Sequence, residues 1–432
     1  MIDVHTRNRN KNVAGAPPNF EYRFCTAVIG GKRKYITKCG FKTQAEALHA
    51  GHKAYAEYNN TGRTFEPSEI SVSDFFDYWL ENKILPNSAD STTVNYKSIV
   101  NNHVKPRIGH YKLKNIETLT IQKLINDIYV QLGFSRDYLK SILKLLNQAF
   151  KYAISIMRII THNPAADVTM PKIIEPPKKK HKTVSQSDVQ RMLERFKCSP
   201  YQYYSLMISY YTGMRIAEVY GLTWDCIDFD KKTITINKIC KKIRESSDAT
   251  STLKCKARNK WYLGDCKTYS SNRTITIGKS LIDALKEYKQ MQEQNKKDYG
   301  ELYVNHYLKR EVTKANRIVY KIISLDSSGG FEIPLPKADL VMVKPNGEFH
   351  GIDVMKYPAK VAKYELGIDF NFHALRHTHA TKLVESGAPI KDVQERLGHS
   401  TIVTTMNTYV ENTEKMKNTT VDLFENNHKL VV

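Results

Sequence analysis

The run Pro176-Pro-Lys-Lys-Lys-His-Lys182 divides this chain in two. Consecutive prolines cannot continue a helix, and the lysines after them have nothing apolar to bury. Asn163-Pro164 and Pro171 lead into the run, so one folded part ends near 175 and another starts near 184. A chain of 432 residues also exceeds what one hydrophobic core usually organises, which points to several domains. Lys178, Lys179 and Lys180 read as a connector lying across a phosphate backbone, and the plainer alternative is a solvated spacer.

Charge narrows the partner. Lys and Arg total 66 against 44 Asp and Glu, and the formal charge of +22 is spread along the chain rather than confined to a tail. A polyanionic surface is the natural complement, nucleic acid first and an anionic membrane second. No run of about 18 apolar residues and no secretory signal is seen, so no membrane partner is expected and the chain should stay in the cytoplasm. The seven cysteines are scattered without CxxC spacing, which suits reduced thiols better than disulfides or zinc.

Before the proline run, two patterns follow one another. Phe20 to Thr37 mixes aromatic and β-branched residues around Gly30-Gly31, and a helical stretch runs from Thr43 to Tyr58, so a small sheet with one helix is expected. Arg23, Lys32, Arg33, Lys34 and Lys38 cluster there and would give the strands a basic face toward DNA, unless it is an ordinary solvated hairpin. After Gly62 to Ser68, apolar residues recur three or four apart in Val72 to Leu80, Ser91 to Val104, Thr120 to Gln131 and Ser135 to Ile156, predicting a helical bundle. Ser91-Thr92-Thr93 is a candidate cap for the second of these helices, and Pro106-Arg-Ile-Gly109 is expected to break the chain after it.

The chemistry lies beyond the linker. Thr212-Gly-Met-Arg-Ile-Ala-Glu218 places a turn at Gly213, Arg215 at the start of the next helix as a phosphate-ligand candidate, and Glu218 one turn on, able to hold the guanidinium. The alternations Thr233 to Asn237 and Arg273 to Ile277 predict short antiparallel strands, with Lys267 on a turn before the second. His373 and Arg376 share one face of a helix through Val384, whereas His377 and His379 read as packing or hydrogen-bonding groups. Gly398 ends a short helix and leaves His399 at its exit, and Tyr409 follows ten residues later. No HExxH pattern or carboxylate cluster supports a metal.

Taken together, these residues resemble the tyrosine recombinase, or phage integrase, family over about 184 to 425, with 70 to 170 similar to its core-binding domain. The resemblance implies a multidomain fold: a small α/β arm-binding domain (1–66), an all-α core-binding domain (67–175), a basic linker (176–183) and a mainly α catalytic domain with a small antiparallel sheet (184–432). The stretch 286–365 is longer than the family's usual connection and is expected to form a surface subdomain. Arg215, Lys267, His373, Arg376, His399 and Tyr409 fall on the family's six catalytic positions. An arm-binding domain favours an integrase of a temperate phage or integrative conjugative element over a chromosome or plasmid dimer resolvase.

The mechanism so implied has Tyr409 attacking a DNA phosphate clamped by Arg215 and Arg376, with proton roles for Lys267 and His373 and a hydrogen bond from His399. It calls for neither cofactor nor metal. Its partners would be double-stranded DNA at specific sites, three further copies of the chain in a tetramer on synapsed DNA, an excisionase and a host DNA-bending protein. The tail from Glu414 to Val432 would dock on a neighbour, pack on its own protomer or stay disordered. A type IB topoisomerase and a non-enzymatic DNA-binding regulator are the competing readings.

Overall fold

The computed structural model describes residues 4–10, 17–29, 32–61, 70–171, 182–244, 259–266, 269–313, 316–326 and 333–409. Lys178, Lys179 and Lys180 of the basic linker, Lys267 and the tail beyond Tyr409 therefore lie outside the described residues. Two compact units result: Met1–Ile84 with Ser91–Ile173, and Leu85–Asp90 with Ile174–Val432. Among the described residues no helix is long and apolar enough to cross a membrane.

In the first unit, β1 (His5–Asn8), β2 (Phe20–Ile29) and β3 (Lys32–Phe41) form an antiparallel sheet in chain order. Helix α1 (Gln44–Thr61) packs on it, setting Tyr55 edge-on against Phe24 with ring centroids 5.3 Å apart. A side chain at Gly51 would come within 2.6 Å of Val4, so glycine is what lets helix and sheet approach this closely. Strand β1 is a finding beyond the expected hairpin: its four residues, His-Thr-Arg-Asn, carry no apolar alternation.

The bundle consists of α2 (Val72–Trp79), α3 (Asp90–Ile99), α4 (Thr118–Leu132) and α5 (Arg136–Tyr152). Ser71 and Ser135 cap α2 and α5 by accepting the backbone N–H of Asp74 and Tyr138. The apolar stripes converge on Phe75, Phe76, Trp79, Ile125, Leu146 and Phe150, all fully buried. One local expectation changes and another is refined. Helix α3 begins at Asp90, so Ser91 to Thr93 lie inside its first turn instead of capping it. The break expected over Pro106 to Gly109 falls at its last residue: the path continues through a wide i→i+5 turn (Val100–Val104) into Lys105–Ile108, and the chain turns off at Gly109. Proline sits in the first turn of that last segment, where its missing N–H costs nothing.

In the second unit, α6 (Gln186–Phe196), α7 (Pro200–Thr212) and the short α8 (Ile216–Val219) precede the strands. Strands β4 (Ile227–Asp228), β5 (Thr233–Ile236) and β8 (Arg273–Thr276) form a three-stranded antiparallel sheet, with Ile234 opposite Ile275. Between β5 and β8 the chain makes the hairpin of β6 (Lys238–Arg244) and β7 (Asn259–Asp265). After α9 (Lys279–Tyr299), β9 (Asn305–Val312) and β10 (Ile318–Leu325) pair with that hairpin in the order β6-β7-β10-β9. The stretch 286–365 is thus no detached surface subdomain. Leu340, Val341, Met342 and Val343 enter the main core, Trp224 N–H donates to Asp339 O at 2.9 Å, and Val341 N–H donates to Leu222 O at 3.0 Å. Helices α10 (Lys356–Tyr364), α11 (Phe372–Glu385), α12 (Ile390–Leu397) and α13 (Ile402–Tyr409) complete the unit.

Candidate active site

Two left-handed glycines build the floor of the site. Gly213 (φ 69°) ends α7, and Gly398 (φ 69°) ends α12. A β-carbon at Gly213 would lie 2.8 Å from both His379 and Leu397, and one at Gly398 would lie 2.9 Å from Ser270 O. Both turns therefore need glycine for conformation and for space. Asn371 caps α11 by accepting Ala374 N–H at 3.0 Å, which starts that helix just before His373.

Arg376 is 1% exposed and ties the two turns together, donating to Gly213 O at 2.8 Å and Leu397 O at 2.7 Å. Arg215 stands at the N-cap of α8, 35% exposed, with its Nη1 2.7 Å from Glu218 Oε1 and its backbone N–H donating to Glu218 Oε2 at 2.9 Å. Glu218 is buried and receives a second guanidinium, that of Arg273, whose Nη2 lies 3.0 Å from Oε2. Burial pushes the Glu218 carboxyl up, but Arg273 and Arg215 outweigh it and hold the group below the usual carboxylate range. Arg273 also donates from Nε to Arg396 O at 2.7 Å, so the acid that braces Arg215 is itself braced by α12.

His399 is 9% exposed, and its Nδ1 lies 2.9 Å from the Thr405 hydroxyl. Burial, then the charges of Arg376, Arg215, Arg273 and His373, bring its pKa down to about 3. Arg376 joins Gly213, two residues before Arg215, to Leu397, two residues before His399, and so brings these groups together. The His373 ring packs edge-on against His377, centroids 4.6 Å apart. A cleft of about 640 Å³ opens beside His399 and is lined by Asn272, Thr274, Lys391 and Glu395 among others. Tyr409 is the last residue of α13, which packs on α11 and α12; its side chain, like Lys267, is outside the described residues.

Three supporting groups were not legible in the motif. Arg273 begins a strand alternation, which by itself assigns it no role in the site. Its signal is indirect: a glutamate in the apolar setting Ile216-Ala-Glu-Val219 needs a cation from elsewhere. Arg396 donates to His379 Nε2 at 3.0 Å, Thr276 O at 2.9 Å and Tyr211 O at 3.1 Å. His379 accordingly carries its proton on Nδ1, which donates to Tyr210 O at 2.9 Å, and burial followed by the Arg396 charge brings its pKa to about 4. Thr405 is the third.

The basic residues of the N-terminal sheet do not share one face. Arg23 lies over the Tyr35 ring at 4.9 Å, whereas Lys38 stands opposite the core residue Tyr22 in the neighbouring row. Successive rows point to opposite sides of a sheet. The side chains of Lys32, Arg33 and Lys34 lie outside the described residues, as do Lys178, Lys179 and Lys180.

Residues 71–129 match the profile "Phage integrase, N-terminal SAM-like domain", and residues 182–324 and 350–416 match "Phage integrase family". The chain belongs to the phage integrase family, the tyrosine recombinases. A "Tyrosine recombinase XerC-like" protein of Caldanaerobacter subterraneus is 27% identical over 413 residues, covering 93% of this recombinase and 95% of the relative. The ICEBs1 integrase of Bacillus subtilis is 23% identical over 371 residues, covering 85% and 86%. Among solved structures, the Tn1549 transposon integrase in complex with transposon right end DNA superposes with a TM-score of 0.59 at 18% identity, covering 82% of this recombinase and 99% of that chain. The λ integrase tetramer bound to a Holliday junction gives 0.52 at 16% identity, covering 95% and 96%. The fold is theirs, and the recombinase cuts and rejoins DNA site-specifically through a phosphotyrosyl intermediate.

Proposed function

We propose that this recombinase integrates and excises a mobile element, and that Arg215, Lys267, His373, Arg376, His399 and Tyr409 carry its chemistry. The joining by Arg376 of the Gly213 turn before Arg215 to the Leu397 turn before His399, beside the helix that ends at Tyr409, carries this reading. Arg376 has two donors engaged with carbonyls, which fixes its plane, and Arg215 is held by Glu218 while remaining partly exposed. Two guanidiniums so held are suited to the nonbridging oxygens of one phosphate.

The Tyr409 phenolate attacks phosphorus, forming an O–P bond as the P–O5′ bond breaks. His373 receives the phenol proton, Lys267 gives one to the leaving 5′-oxygen, and His399 hydrogen-bonds the phosphate. The product is a 3′-phosphotyrosyl ester, and a 5′-hydroxyl from a second strand reverses the step on a new partner. The bond energy is conserved in the ester.

One Tyr409 cuts one strand, so exchange between two duplexes takes four protomers, and the net charge of +22 suits a chain enclosed by DNA. The Holliday-junction complex of λ integrase supports the tetramer, and the ICEBs1 and Tn1549 relatives support the mobile-element role. An excisionase and a host DNA-bending protein would set direction.

The test is a nicked suicide substrate bearing candidate element ends, incubated with the purified chain. A covalent 3′-phosphotyrosyl adduct that disappears in Tyr409→Phe is the expected result. Binding without an adduct on a verified site would instead make the protein a DNA-binding regulator, and relaxation of one duplex without recombinant products would make it a topoisomerase.

A further inference from the structure

Resting on that reading of the site, we propose that Thr405 is a positioning residue for His399: its hydroxyl donates to Nδ1, so the imidazole carries its single proton on Nε2, the tautomer that can donate to a phosphate oxygen. The geometry begins with the backbone. His399 N–H donates to Gln394 O at 3.1 Å, and Gln394 Nε2 donates back to His399 O at 3.0 Å, so the residue is held where the chain leaves α12. What the backbone leaves undecided is the ring, and the Thr405 hydroxyl meets it at 2.9 Å. Thr405 is fully buried.

The choice of tautomer matters because a second proton is not accessible at neutral pH. Burial and the neighbouring guanidiniums of Arg376, Arg215 and Arg273 keep the imidazole neutral until about pH 3. A neutral imidazole has one donor and one acceptor nitrogen. If Nδ1 held the proton and gave it to Thr405, Nε2 would present a lone pair to an anionic oxygen, and the contact would be repulsive. With the hydroxyl as donor, the same ring offers an N–H. Thr405 and Tyr409 are four residues apart on α13, so one helix seats both the nucleophile and the group that orients His399.

The test uses the full chain with nitrogen-labelled histidine and the variants Thr405→Val and Thr405→Ser. Valine keeps the branched shape and removes the hydroxyl, whereas serine keeps the hydroxyl. In nitrogen NMR spectra, with the His399 signal identified by its loss in His399→Asn, the natural chain and Thr405→Ser show the proton on Nε2. Thr405→Val shifts the population toward Nδ1. On a nicked site at saturating protein, Thr405→Val forms the adduct roughly tenfold or more slowly, while DNA affinity and thermal midpoint stay near those of the natural chain. Thr405→Ser stays within about threefold.

A natural chain with the proton on Nδ1, or a Thr405→Val variant with an unchanged tautomer or an unchanged adduct rate, overturns the assignment. A natural chain that makes no adduct on its verified site sinks the recombination chemistry instead, and the nitrogen spectra then decide the tautomer on their own. Should Thr405→Val fold poorly, the spectrum of the natural chain beside that of Thr405→Ser still decides it.

Discussion

The helical bundle and the catalytic unit bury their interiors in opposite ways. The bundle closes over aromatic and aliphatic side chains such as Phe76, Trp79, Leu145 and Phe150, with only Thr93 and His103 as buried polar residues among those described. The catalytic unit buries Glu218, Arg376, His399 and Thr405, and Arg273 at 7% exposure, beside an apolar core larger than that of the bundle. Buried charge is a weak source of stability, because desolvation offsets most of the attraction. Its presence around one spot, with the donors tied to carbonyls and one carboxylate, marks where geometry matters more than stability.

Glu218→Ala is the harshest test of that contrast. It leaves Arg273 buried without a counter-charge, at a cost of about 3–5 kcal/mol. Urea unfolding followed at Trp224 should shift to lower denaturant while the Trp79 signal from the bundle holds, in variants that keep one tryptophan each. Equal shifts in both would mean that the charge network is not confined to the catalytic unit.

Arg376→Met comes next, since it keeps much of the side-chain volume and removes the charge. Adduct formation should fall roughly 10²–10³-fold, well beyond any change in DNA affinity measured by gel shift. Retained activity would remove Arg376 from the phosphate clamp.

The third test is pH. Folding depresses the pKa of His379 from 6.5 to about 4 and that of His399 to about 3. The unfolded chain therefore binds protons first as pH falls, and the folded state loses stability through that window. Stability is complete above about pH 6.5, and the His379 contribution is lost by about pH 4, with a ceiling of roughly 3 kcal/mol. His103 moves in the same direction in the bundle, so the catalytic unit should lose more, not all, of the difference. Thermal midpoints measured between pH 7 and 4 check this, and His379→Gln should flatten the curve of the catalytic unit alone.

Leu145→Met in the bundle is the mildest. A volume-conserving swap in an apolar core should cost less than about 1.5 kcal/mol and leave the adduct rate unchanged. A large activity loss there would show that the bundle does more than support.

Local pattern was readable where local physics decides. The Thr233 and Arg273 alternations became paired strands, the stretch after Asn371 became a capped helix, and Gly213 and Gly398 turned where side chains cannot follow. The break expected over Pro106 to Gly109 came at Gly109 and not at the proline, because a wide turn ahead of Pro106 placed it at the start of a new helical segment. The length of the stretch 286–365 suggested a surface subdomain, whereas Leu340 to Val343 belong to the core.

By itself, then, the sequence determined the helices and short strands, and it holds the ordered motif from Arg215 to Tyr409 on which the proposed chemistry rests. These depend on side-chain periodicity, backbone permission at glycine and proline, and residue type, all of which act over a few positions. Only the tertiary structure decided that Arg273 braces Glu218, that Arg396 fixes the proton of His379, that Thr405 meets His399, and that two hairpins separated by α9 join in one sheet. Pairings between distant segments follow from which buried charges and strand edges are left to satisfy once the chain has packed, and no short stretch of sequence records that.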